Sequence, residues 1–270
     1  MSEQLELSLV WAGVIGYAIS LVILLAKGFL NKNDGFTGLV LVLTVGFFAV
    51  AIAVRWIRLN QGPFFTLYEI LLSNVFSLGL IYALVFQRSP DSRIGAPVVL
   101  SILLVLGVWC GIESPDAVPL PASYSNNWLW AHVGLGKVFL GFSLAATGIA
   151  VMYLIDHYNI VGRSKPTQLS SQGLVIWKLM AAGFFFESLM LITGAVWAHD
   201  AWGRYWSWDP LETWAFLTWL CLAILLHARL TFKTMSQSLG WIGVVVIFVL
   251  AFLTFFGVPF LSIAPHKGVL

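Results

Sequence analysis

Phe36-Thr-Gly-Leu-Val-Leu-Val-Leu-Thr-Val-Gly-Phe-Phe-Ala-Val-Ala-Ile-Ala-Val-Arg55 carries no charge until its last position. As an α-helix rising about 1.5 Å per residue, a run of this length crosses about 30 Å of hydrocarbon. Comparable runs fill the rest of the chain. They predict eight spans, at 8–27, 36–55, 66–87, 95–113, 129–155, 174–197, 211–233 and 240–262. Polar breaks separate them, among them Lys32-Asn-Asp-Gly35, Arg88-Ser-Pro-Asp-Ser-Arg93 and a long stretch from Glu113 to Asn127. The expectation is an all-α polytopic transmembrane helix bundle. With no repeat and no low-complexity segment, residues 1–270 read as one membrane domain.

Composition agrees. Hydrophobic residues make up 60% of the chain and charged residues 10%, with a mean hydropathy of +0.92, whereas a soluble domain carries about 25% charged residues. The net charge of +2 is small and dispersed, which argues against a nucleic-acid partner. Glu3 and Glu6 stand where a cleaved signal would have a basic region, and the first apolar stretch runs to about Leu25 without a small-residue cleavage site. The first span is therefore expected to stay in place. Cys110 and Cys221 are the two cysteines and have no metal-ligand spacing, so they read as packing residues.

Lysine and arginine set the expected orientation. With the N-terminus outside, Lys27, Lys32, Arg88, Arg93, Arg163, Lys165, Lys178, Arg229 and Lys233 fall at cytoplasmic ends, nine of the fourteen Lys and Arg. Arg55, Arg58, Lys137, Arg204 and Lys267 remain outside and need separate reasons. An even number of spans puts the C-terminus outside as well. The Glu113–Asn127 loop, the segment before Pro210 and the tail around His266 then share one outer compartment.

That segment, Trp202-Gly-Arg-Tyr-Trp-Ser-Trp-Asp209, lies in the richest part of the chain for tryptophan. Trp197, Trp202, Trp206, Trp208, Trp214 and Trp219 account for six of thirteen tryptophans. One reading is an aromatic belt at the bilayer interface. The other is a ligand platform, because alternation in an extended segment puts Trp206 and Trp208 on one side as a flat apolar surface for a planar molecule. Gly203 allows close backbone approach and Arg204 adds a cation. Asp209-Pro-Leu-Glu212 has the form of a helix start, with Asp209 as N-cap, and any ligand role for Asp209 comes in addition.

The histidines divide by depth. His132, at the entry to the fifth span, and His266, after the eighth, are expected on the same outer face as the tryptophans. Each reads either as an interfacial residue or as half of an axial pair for an iron porphyrin. His227 lies 17 residues past Pro210, about 25 Å down the seventh span, where an ionisable residue is costly and marks a site or a helix–helix hydrogen bond. His157 reads as a surface residue, and His199 adjoins the tryptophans without a spacing that selects it. Arg55, Arg58 and Arg204 are outer cations suited either to lipid headgroups or to the two propionates of haem. Glu69 and Glu187 are intramembrane carboxylates whose partners the sequence does not name.

Residues 202–209 resemble the WWD signature, Trp-Gly-x-x-Trp-x-Trp-Asp, of haem-handling proteins of cytochrome c biogenesis. Further matches point to the CcsA-type branch (CcsA/ResC). They are Arg55-Trp56 with Gly62-Pro63 and Leu67-Tyr-Glu69, Asn127-Trp-Leu-x-x-His-Val133, Gly194-Ala-Val-Trp-Ala198, Asp209-Pro-Leu-Glu-Thr-Trp214 and Leu226-His-Ala-Arg229. The resemblance covers roughly residues 55–266. It departs from the family at His199-Asp200, where the family usually has Asn-Glu, and at His266-Lys-Gly, where it often has His-Ser-Tyr.

The resemblance implies a subunit of a cytochrome c synthase, active as a haem lyase only together with a CcsB/ResB partner. It implies non-covalently held b-type haem at the WWD segment, with Trp202, Gly203, Arg204, Trp206, Trp208, Asp209, Arg55 and Arg58 as contacts. His132 and His266 become the outer iron ligands, and His227 a membrane-embedded ligand whose opposite histidine comes from the partner. The substrate is an apocytochrome with a Cys-x-x-Cys-His site, and the membrane a bacterial plasma or thylakoid-type membrane with the WWD face toward periplasm, exterior or lumen. Rival readings are a haem exporter of the CcmC type, a HemX-like regulator, and a haem-bearing anchor of a redox complex. This chain contributes no nucleophile. Its part is positioning.

Overall fold

The computed structural model describes residues 2–27, 35–62, 65–121, 124–158, 173–232 and 235–258. Its long elements are helices: α1 (Glu3–Lys27), α2 (Gly35–Leu59), α3 (Leu67–Arg88), α4 (Ala96–Ile112), α5 (Asn127–His157), α6 (Gly173–Trp202), α7 (Pro210–Thr231) and α8 (Gln237–Phe256). A short 3₁₀ turn, Pro90–Gly95, leads into α4. Eight helical segments among the described residues are long and apolar enough to cross a membrane. The expected all-α polytopic membrane protein is therefore what the chain forms, and each predicted span has its helix.

The bounds differ where polar contacts reward extra turns. α1 begins at Glu3 instead of residue 8, and α2 runs on to Leu59, because Glu3 and Glu6 on the first turns of α1 meet Arg58 and Arg55 on the last turns of α2. α6 continues past the expected end at Trp197 to Trp202.

Packing divides the chain into two compact units, residues 1–120 and 121–268. In the first, α1 packs on α2 and α4, and α3 on the same two helices. Tyr17, Phe48, Leu72, Val75 and Leu103 fill the centre, all fully buried. The Tyr17 ring stacks on Phe48 at 5.5 Å and its hydroxyl donates to the Val75 carbonyl at 3.2 Å. A capping box starts α3. Thr66 accepts from the Glu69 N–H, and Glu69 Oε2 accepts from the Thr66 N–H, which satisfies end groups that the helix leaves unpaired.

In the second unit α5 packs on α6 and α8, and α7 on the same two. The middle of α5 is buried around its whole circumference: Ser143-Leu-Ala-Ala-Thr-Gly-Ile-Ala150 is buried at every position. Small side chains there let neighbouring helices come close. α7 is the opposite case: Glu212, Thr218 and Leu222 are its buried residues, so α7 lies at the edge of its unit. Glu187, near the middle of α6, is fully buried, and both its carboxyl oxygens lack a hydrogen-bond partner among the described residues.

Candidate functional site

The tryptophan-rich segment is made by the way α6 stops and α7 starts. Gly203 ends α6 with φ +75°, its N–H bonded to the His199 carbonyl at 2.8 Å. Only glycine takes that left-handed conformation without steric cost. The chain turns back so that Tyr205 stacks on His199, ring centroids 4.3 Å apart and planes 15° from parallel. Asp209 then caps α7 as expected: its Oδ1 accepts from the Glu212 N–H at 3.0 Å, and Pro210 follows in the first turn.

Between these ends the expected flat platform is absent. Trp206 and Trp208 meet edge to face, 5.6 Å apart at 83°, and Phe216 of α7 is edge-on to both. The reason is the backbone. Trp208 has φ +59°, so the segment is not extended and alternation does not hold. Trp206 is half-buried, and its Nε1–H lacks a partner among the described residues. Trp208 stands 67% exposed. Below them Phe216 stacks on Trp219, Trp219 stacks on Phe184, and the Trp219 Nε1–H donates to Ser188 Oγ at 2.8 Å.

Trp197, 2% exposed, is the second centre. Trp202 meets it edge-on at 4.9 Å and Tyr124 edge-on at 5.7 Å, and the His132 ring lies nearly parallel to it at 6.0 Å. α5 and α6 hold His132 in a defined pose: its Nδ1 is 2.9 Å from the Met190 carbonyl oxygen. Nδ1 is then the protonated nitrogen, which puts the imidazole lone pair on Nε2. Gly194 makes room for the ring, since a Cβ there would lie 2.6 Å from Nδ1. Asn126 links the start of α5 to the end of α6. Its Oδ1 caps α5 by accepting from the Trp128 N–H, and its Nδ2 donates to Asp200 on the last turns of α6 at 3.1 Å.

Of the expected site residues, the fold of the second unit brings His132 to the tryptophans through Trp197 and Trp202. Arg204 is exposed beside Gly203. His227 is exposed on α7, with Thr231 Oγ1 at 3.4 Å. It sits in one stripe with the exposed Leu217, Leu220 and Ile224, the spacing of a single helix face. His266 lies outside the described residues.

Arg55 and Arg58, outer cations suited either to lipid headgroups or to haem propionates, pair with carboxylates inside the protein. Arg55 is fully buried in the first unit. It bonds Glu69 through Nε, Glu6 and the Pro115 carbonyl through Nη1, and the Asp116 carbonyl and Glu69 through Nη2, with its guanidinium 4.8 Å from the Tyr68 ring centre. A guanidinium has five N–H donors, and four hydrogen bonds together with the second ion-pair contact to Glu69 spread over all three of its nitrogens. Arg58 bonds Glu3 and Glu6. Gln61 donates to the Val118 carbonyl, so the end of α2 also anchors the stretch after α4. Sequence reasoning missed these internal partners because Glu6 lies 49 positions from Arg55, and Glu3 55 positions from Arg58. It also missed Tyr124 and the His132–Trp197 stack, which no local pattern signals.

The model of the family described as cytochrome C assembly protein matches residues 64–266. The chain is 28% identical over 249 residues to the cytochrome c biogenesis protein CcsA of Trieres chinensis, covering 79% of this chain and 80% of that one. It is 29% identical over 284 residues to the protein of the same name in Prochlorococcus marinus, covering 92% and 88%. With the Chlamydomonas reinhardtii protein of that name it shares 32% over 187 residues, covering 66% of this chain and 53% of that one.

Proposed function

The chain belongs to the cytochrome C assembly protein family, as a CcsA-type membrane protein of cytochrome c maturation, and from that premise we propose that it presents haem for attachment to apocytochrome c. The observation that carries the proposal is His132, whose Nδ1 is tied to the Met190 carbonyl and whose ring lies along Trp197 beside the tryptophan-rich turn. An imidazole fixed in that tautomer is a pre-oriented iron ligand.

The chain's residues suit a non-covalently held b-type haem as cargo. His132 and His266 would hold the iron on the outer side. Trp202, Gly203, Trp206, Trp208 and Asp209 shape the apolar rim, with Asp209 acting through the helix start it caps. Arg204, exposed next to Gly203, is the arginine suited to a propionate, because the donors of Arg55 are already committed to Glu6, Glu69 and two carbonyls. Haem itself supplies the vinyl groups to which the Cys-x-x-Cys-His thiols of the apocytochrome add. What this chain adds is orientation and exclusion of water by the aromatic walls.

His227 fits a second, membrane-embedded ligand position. An exposed histidine in an apolar stripe is costly to face lipid and suits a partner helix, and a CcsB/ResB-like membrane protein supplies that helix in this reading. In this reading, which the distribution of Lys and Arg supports, the tryptophan-rich turn and both termini face the outer side, toward periplasm, cell exterior or lumen, residues 1–270 act as one haem-handling domain, and synthase activity requires the partner.

The test is the optical spectrum of the chain co-purified with its partner. Haem is expected in the wild-type complex, and the outer-site component should vanish when His132 and His266 are both changed to Ala. An unaltered spectrum in that double variant would overturn the ligand assignment.

A further inference from the structure

Trp208 and Asn60 are the non-glycine residues with positive φ among those described. Asparagine enters the left-handed region readily, whereas a bulky aromatic residue does so only under constraint. The constraint on Trp208 comes from two consecutive residues of α7. Glu212 Oε2 accepts from the Ser207 N–H at 2.7 Å and from the Ser207 hydroxyl at 3.3 Å, and the Thr213 hydroxyl donates to the Trp208 carbonyl at 3.3 Å. Both sides of the strained residue are thus tied to the first turn of α7, which Asp209 and Pro210 start. In a common capping box the third-position carboxylate reaches back to the cap residue's own N–H. Here it reaches two residues further back, to Ser207.

The result is an indole that is 67% exposed, with the edges of Trp206 and Phe216 packed against it. The same turn holds two buried polar atoms without partners among the described residues, Glu212 Oε1 and Trp206 Nε1. Backbone strain and unsatisfied buried groups in one short segment cost stability, and such costs gather where function requires a geometry.

We infer that Glu212 and Thr213 are positioning residues of this site: they clamp Ser207 and Trp208 so that the Trp208 indole is held out as a rigid stacking face for the planar cargo. The inference rests on the haem reading above. Neither residue touches the cargo. Each acts through Trp208.

The experiment uses the chain co-purified with its membrane partner, in wild-type form and as Glu212→Ala, Glu212→Gln, Thr213→Val and Thr213→Ser. Two quantities are read: amide hydrogen exchange over residues 204–209, and the outer-site haem signal, defined as the part lost in His132→Ala. Losing one hydrogen bond corresponds to a change of roughly two- to tenfold. Glu212→Ala and Thr213→Val should therefore raise exchange and weaken haem retention by roughly two- to tenfold, while Glu212→Gln and Thr213→Ser, which keep an acceptor and a hydroxyl, should restore both. Free exchange with wild-type haem retention overturns the inference, because the clamp would then be only structural. So does a Gln variant as poor as the Ala one, which would assign the effect to charge. A wild-type complex without haem fells the underlying reading and the inference with it, and the exchange data would still show separately whether Ser207 is clamped.

Discussion

The imidazole of His132 lies along the indole of Trp197, with ring centres 6.0 Å apart and planes 20° from parallel. Gly194, three residues before Trp197 on α6, leaves the space the imidazole occupies: a Cβ there would sit 2.6 Å from Nδ1 and 2.7 Å from Cε1. Gly194→Ala should push the ring off Trp197 and break its bond to the Met190 carbonyl, at an overpacking cost of about 1–3 kcal/mol. The expected outcome is a shifted or weakened outer-site haem spectrum with the helices intact by circular dichroism. A spectrum identical to wild type would show that the His132 pose is not needed.

Arg55 makes a different prediction because its partners are all internal. Removing one member of a buried ion pair leaves the others uncompensated, at about 3–5 kcal/mol. Arg55→Ala should lower the thermal midpoint in detergent markedly. Arg55→Lys should rescue it only in part, since an ammonium cannot reproduce the five-donor fork that engages Glu6, Glu69 and two carbonyls. Haem bound per folded molecule should stay near wild type. A stable Arg55→Ala variant with lost haem would return Arg55 to the cargo site.

Asp209 can be split into its two roles by substitution. Asp209→Ala removes the cap of α7, which costs about 1 kcal/mol, whereas Asp209→Ser keeps a capping oxygen. Matching thermal midpoints for the Ser variant and wild type, with haem retained, would assign Asp209 to capping alone. Haem loss in the Ser variant at unchanged stability would add a direct role.

His227 is exposed and bonded only weakly within its own helix, to Thr231 at 3.4 Å. His227→Ala should therefore leave the stability of the isolated chain within about 0.5 kcal/mol while reducing the haem carried by the complex. Co-purification with and without the partner separates the two states. Equal haem loss in the absence of the partner would mean that His227 does not need a ligand from another chain.

The sequence alone determined that this is a membrane protein, with eight span-length helices among the described residues, because burying backbone polar groups in hydrocarbon leaves few options and apolar runs of span length are countable. It also determined the start of α7, since capping is a local matter: Asp209-Pro-Leu-Glu212 carries its own instructions. The tryptophan cluster was legible as composition and its family as a motif.

Only the tertiary structure decided which side chains meet. Glu69 has the look of a lone intramembrane carboxylate until Arg55, fourteen residues away, and Glu6, on another helix, arrive beside it. The flat platform expected of Trp206 and Trp208 depended on an extended backbone, and the bonds from Glu212 and Thr213 hold Trp208 at φ +59° instead. His132 was identifiable as a candidate from its position, but its pose comes from α6, through Met190, Gly194 and Trp197. Span length and caps follow from neighbours in sequence. The orientation of a ring or a guanidinium follows from neighbours in space, which the order of residues encodes only through the whole packed helix pair.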